Sequence, residues 1–363
     1  MCRVLIIEDE GPKITTYKDF SKGSGLTFLS PPEIGLGKFD ATDKESVEEQ
    51  LAKFLRDQIA THGIDLVLLD TDLSRDRKLQ THSSYKSALR ELGMPVCRYQ
   101  KGGTASSLEQ LPQLQRTIRD GASAIWIPKA VVSGDRTDEL VPRLVSISQG
   151  FKDIEAALQA QPQLLEGRHS PTEVLAAVLG DQNLSDEFLG YAAQNLVYFA
   201  KPEVDHEGYQ ISEVQRYATQ LGYWLFNYII TFPGPILRKD AALAYLNIHP
   251  DELAQNPELL QIIAPAQYSG PFGEVEGYYW RFQLIHILDE CGGDVGNHPI
   301  LAGKPVRRID PDNLGALAFV CMVSGKPITA EQAAVSPDWV PSGASEAKID
   351  ETVLEELGPL AGI

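Results

Sequence analysis

The residues best equipped for chemistry are acids set at the ends of apolar runs. Arg3 to Ile7 reads RVLII and stops at Glu8-Asp9-Glu10, and the run IDLVLL from Ile64 stops at Asp70. Each run suits a buried strand that delivers carboxylates at its C-terminal end. Carboxylates gathered in one cleft repel one another unless a cation lies between them. A hard, oxygen-seeking ion such as Mg²⁺ suits that donor set. A carboxylate at the end of a central strand can also act as a nucleophile and accept a phosphoryl group, with the metal shielding the incoming charge.

The elements around these runs must place both acids at one edge of a sheet. Leu26 to Leu29 is a further short strand, stopped by Ser30-Pro31-Pro32. Residues 44 to 61 carry Val47, Leu51, Phe54, Leu55 and Ile59 at helical spacing, and Gly63 follows as a C-cap. A helix over 83–92, a strand over Pro95 to Tyr99 and a helix over 107–119 come next. A strand over Ala124 to Ile127 leads into Pro128-Lys129, and a long helix over 138–159 closes this half. Strands that alternate with helices imply a parallel sheet covered on both faces. Function in such sheets lies beyond the strands' C-terminal ends.

These segments resemble the receiver domain of response regulators. VLIIEDE is similar to that family's first strand and acidic pair, IDLVLLDTDLS to its third strand, and DGASAIWIPK to its Gly-Ala motif and fifth strand. The resemblance spans about residues 3 to 159. It implies a flavodoxin-like five-stranded parallel sheet in the order 2-1-3-4-5. It also implies that Glu8, Asp9 and Asp70 bind Mg²⁺, that Asp70 accepts the phosphoryl group, and that a histidine kinase supplies it. Receiver domains often dimerise, so the resemblance allows a homodimer as well as a monomer. The pattern departs where the family senses the phosphoryl group. PVCRYQ places Tyr99 or Gln100 where a small hydroxyl is usual, and the family's Lys-Pro is reversed to Pro128-Lys129. The separation of Asp9 from Asp70 implies an insertion around residues 30 to 45. Gln100 and Lys129 are therefore the expected, altered switch and phosphate-contact positions.

Two rival readings use the same acids. One is a pseudo-receiver, a scaffold that works by protein contacts without phosphorylation. The other is a Toprim-like metal-dependent nuclease, which would use Glu8 with Asp70-Thr71-Asp72. That family usually has Gly after its first acid, whereas Asp9 stands here.

The 363 residues are 43% hydrophobic, which is enough for more than one core. A net charge of −18 without a basic patch argues against nucleic-acid partners. Cys2, Cys97, Cys291 and Cys321 are scattered, which fits a reducing compartment, and no leader or membrane-length apolar run is evident. A cytoplasmic protein with protein partners is expected. The domain plan is a receiver-like domain over 1–160, a mostly α-helical domain over 165–340, and an acidic tail over 341–363 with one short helix.

Within the helical part, Ser170-Pro171-Thr172-Glu173 is a strong helix start. Helices are expected from Ser185 to about Ala200, over 212–230 up to the FPGP break, and near 238–246, 250–263, 276–290 and 312–323. Tyr217, Tyr223, Trp224, Phe226 and Tyr228, with Tyr278, Tyr279, Trp280 and Phe282, read as core aromatics. The spacing of His206, His286, Cys291, His298 and Cys321 fits no usual zinc site. Lys101 to Thr104 reads as a turn rather than a phosphate loop. No nucleophile elbow or other enzyme motif is evident in this half.

Overall fold

The computed structural model describes residues 2–41, 46–73, 79–100, 110–167, 169–192, 212–301 and 303–358. Lys101 to Thr104 and His206 lie outside them. The chain divides into two compact units. The first comprises Met1–Ala105, Asp120–His169 and Tyr198–Tyr223. The second comprises Ser106–Arg119, Ser170–Val197 and Trp224–Ile363.

In chain order the first half contains β1 (Cys2–Ile7), α1 (Gly11–Phe20), β2 (Leu26–Leu29), α2 (Val47–His62), β3 (Leu66–Asp70) and α3 (His82–Glu91). Then come β4 (Val96–Tyr99), α4 (Gln110–Asp120), β5 (Ile125–Trp126), α5 (Lys129–Ser133) and α6 (Leu140–Ala160). The five strands form one all-parallel sheet in the order β2-β1-β3-β4-β5, so the flavodoxin-like arrangement is present. Every residue of β3 is buried, as its uninterrupted apolar run demands for a central strand.

Side-chain alternation divides the sheet into two faces. Leu5, Ile7, Val67, Leu69 and Val96 share one core with Leu51 and Leu55 of α2 and Ala88 and Leu89 of α3. The intervening residues Ile6, Leu68, Cys97 and Tyr99 point to the other face. Ser46 caps α2 through a complete capping box with Glu49, and Gly63 ends it in a left-handed conformation. The segment before α2 is not a bare insertion: Ile34 and Leu36 are buried in the same core as α2.

α1 falls where the sequence suggests only a polar, Gly-containing stretch. GPKITTYKDF has adjacent Thr residues and no apolar stripe, and Tyr17 is its one buried residue. A single aromatic anchor leaves no periodicity to read.

The second half continues with α7 (Pro171–Val178), α8 (Leu184–Ala192), α9 (Glu213–Trp224), β6 (Ile236–Arg238), α10 (Lys239–Tyr245) and α11 (Leu259–Ile263). It ends with β7 (Tyr278–Trp280), α12 (Arg281–Glu290), β8 (Ala318–Val320), β9 (Pro327–Thr329), β10 (Ala333–Ala334), β11 (Ile349–Asp350) and α13 (Glu351–Leu357). α9 runs directly into a π-helical stretch, Leu225–Ile230, before Pro233. Ser170 forms the expected capping box with Glu173 at α7. Six short strands pair as the antiparallel ribbons β6-β7, β8-β9 and β10-β11.

Three helix expectations need correction. Residues 250–263 form a 3-10 turn, Pro250–Ala254, and then only α11. Residues 276–290 begin as β7 and turn helical only at Arg281. The helix expected over 312–323 is instead strand β8, paired with β9 across a turn in which Gly325 has φ +69°. A short apolar run such as ALAFV has no period that separates strand from helix, and the turn glycine decides it. The aromatics are mostly core, with Tyr223, Trp224, Phe226, Tyr228, Tyr278 and Tyr279 buried, whereas Phe282 is exposed. Among the described residues no helix is long and apolar enough to cross a membrane.

Candidate functional site

The acids meet because of strand register. Ile7 of β1 pairs with Leu69 of β3, so the next residues, Glu8 and Asp70, stand side by side. Asp70 in turn pairs with Tyr99 at the end of β4. Alternation puts all three on the face opposite the α2–α3 core. The row thus runs Glu8, Asp70, Tyr99 across three neighbouring strands. Asp9 is the first residue past Glu8 in the turn that leads to α1.

Each strand-end acid also shapes its own turn. Glu8 Oε1 accepts the backbone N–H of Glu10 at 2.8 Å, and Asp70 Oδ1 accepts that of Asp72 at 3.0 Å. Both bonds reach two residues forward, which holds the carboxylates over the strand ends and stops the strands there. The register of β3 and β4 is continued by Thr71, whose N–H donates to the Tyr99 carbonyl at 3.1 Å.

The ligand oxygens of Glu8, Asp9 and Asp70 all lie within 4.8 Å of one another. Glu8 and Asp70 are 1% and 0% exposed, and Asp9 is half-buried. Three acids this close and this dry call for compensation by a positive charge or a proton. The donor set is entirely carboxylate oxygen, which fits a hard divalent cation and gives a soft metal no thiolate or imidazole.

Sequence reasoning missed the part played by Tyr99. Its side chain is fully buried, and its hydroxyl donates to Glu8 Oε2 at 2.7 Å. The phenol spans the Asp70 strand to reach Glu8. Burial above all, then Tyr17, Glu8 and Asp70, drive its pKa far upward, so it stays a neutral donor. Tyr17 of α1 packs edge-on against the Tyr99 ring, with centroids 6.1 Å apart. The available signal was a Tyr at the last position of the fourth strand, where alternation aims it at the acids.

Gln100 follows Tyr99 directly and is half-buried. Lys129 is half-buried in the first turn of α5, with Pro128 as its N-cap residue. It therefore stands on a helix rather than on β5, and strand alternation does not govern its direction. Asp72 is exposed and lies outside the carboxylate group.

No protein-family model matches this sequence, and neither does any curated protein compared with it.

Proposed function

We propose that the chain is a regulatory protein whose first unit is a receiver-like module. It holds Mg²⁺ with Glu8, Asp9 and Asp70, and the second unit works through protein contacts. The observation that carries this reading is the gathering of three carboxylates at adjoining C-terminal strand ends of a 2-1-3-4-5 parallel sheet. When bound, the ion neutralises the acids and can shield an arriving phosphoryl group. Titration calorimetry with MgCl₂ tests the proposal. One saturable site per chain is expected, with affinity reduced about tenfold or more in Asp9→Asn. No binding, or binding unchanged in that variant, contradicts it.

Phosphorylation of Asp70 is a second reading, favoured by its place at the end of the central strand between Glu8 and Tyr99. An Asp70 oxygen would attack phosphorus while the bond to the donor's leaving group breaks. A histidine kinase is the natural donor in a cell, and acetyl phosphate, which releases acetate, replaces it in a test. Incubation with acetyl phosphate and Mg²⁺ then gives a mass gain of one phosphoryl group that is absent in Asp70→Asn. Absence of that gain in the native protein leaves the cation-holding pseudo-receiver. The nuclease reading would need Asp72, which is exposed and is not one of the three acids grouped here.

A further inference from the structure

On the opposite face of the sheet, Arg98 presents a separate piece of chemistry. It precedes Tyr99 on β4, so alternation turns its side chain away from the acids and toward α3. The residue is 2% exposed. Its Nη2 donates to Ser123 Oγ at 2.9 Å, and Ser123 Oγ donates onward to the Asp120 carbonyl. Among the described residues its buried Nε–H has no acceptor, and no carboxylate forms an ion pair with it. Asp120, the carboxylate nearest in effect, pairs with Lys86 of α3 at 3.2 Å. His82, in the first turn of α3, lies near enough to feel the charges of Arg98, Lys86 and Asp120, and its buried Nε2 lacks a partner among the described residues. Lys86, about a third exposed, takes Asp120 as its partner, so the buried charge of Arg98 is left without an ion pair among the described residues of a chain whose net charge is −18.

A buried guanidinium with so few of its donors used is costly unless something completes it. Its fork geometry matches paired oxygens of a carboxylate or a phosphate. We infer that Arg98, with His82, Lys86 and Ser123 around it, forms a binding site for a small oxyanion, on the face of the sheet opposite the acids. The single uncompensated charge suits one carboxylate or one phosphoryl group. Such an anion would link α3 to β4 and the loop before β5, and so couple ligand level to the packing of this face.

The test uses the full chain at pH 7, with sodium acetate or sodium phosphate compared with sodium chloride at equal ionic strength. A saturable rise of the melting midpoint with acetate identifies a carboxylate ligand, and one with phosphate a phosphoryl ligand. Either supports the site, provided that affinity falls about tenfold or more in Arg98→Lys, which keeps the charge and loses the fork. No rise beyond chloride, or an equal rise in Arg98→Lys, overturns it. If that variant does not fold, the Arg98 Nε–H resonance of the native protein decides: it moves with the anion if the site is real and stays fixed otherwise. Asp9→Asn should keep the response, so this result and the Mg²⁺ result can fail separately.

Discussion

At the scale of residues, the acid site depends on a neutral donor as much as on its carboxylates. Tyr99 supplies Glu8 with a hydrogen bond inside a dry pocket. Tyr99→Phe removes it and leaves that oxygen with more negative charge. Stability without cation should fall by about 1–3 kcal/mol in urea unfolding, and Mg²⁺ should recover more stability than in the native protein. An equal Mg²⁺ effect in both proteins would show that the phenol is not coupled to the ion. His82 gives a pH prediction. Burial first, then Arg98 and Lys86, hold its pKa down to about 4, against 6.5 for the free side chain, with Asp120 opposing. The unfolded chain therefore binds this proton more readily than the folded one. The stability that it contributes is complete above pH 6.5 and is lost as pH falls toward 4. His82→Gln should flatten that part of the stability curve, read from denaturation midpoints at pH 7 and pH 5. A curve identical to the native one would place His82 in solvent. The acids themselves were legible in the sequence because abrupt apolar-to-acidic boundaries mark strand ends. Tyr99 and Arg98 were not, since neither residue type signals a role until register and face are known.

At the scale of elements, β4 is held from outside the sheet as well as within it. Tyr223 of α9 accepts the Val96 N–H at 2.8 Å and donates to the Met94 carbonyl at 3.3 Å, and Thr219 Oγ donates to the Gly93 carbonyl at 2.8 Å. Phe151 of α6 packs edge-on against the Tyr223 ring. A helix distant in sequence thus fixes the start of the strand that ends in Arg98 and Tyr99. Tyr223→Phe leaves the Val96 N–H without its buried acceptor and should cost about 1–3 kcal/mol in urea unfolding. A loss under about 0.5 kcal/mol would mean that the strand needs no such anchor. The parallel strands and α2 were readable from apolar runs, helical spacing and a C-cap glycine, whereas the capping box at Ser46 appeared only in the structure. α1 and the β8–β9 ribbon were not. The one has a single buried aromatic, and the other is an apolar run whose direction is set by a turn glycine.

At the scale of the molecule, the chain forms a parallel α/β unit that gathers acids and a second unit of helices and short ribbons. The parallel sheet followed from alternating strands and helices, whereas its strand order was implied only by the resemblance to receiver domains. The second unit was less legible. Its strands span two or three residues each, too few for a period to appear. Arg281 ties that unit internally through ion pairs to Glu187 and Glu346, contacts far apart in sequence that no local pattern reveals. Whether a cation sits among the three acids is tested most directly by anomalous diffraction from crystals soaked in MnCl₂. One strong peak is expected within coordination distance of Glu8, Asp9 and Asp70, displaced by excess Mg²⁺. An empty carboxylate cluster in crystals that bind Mn²⁺ elsewhere would contradict it.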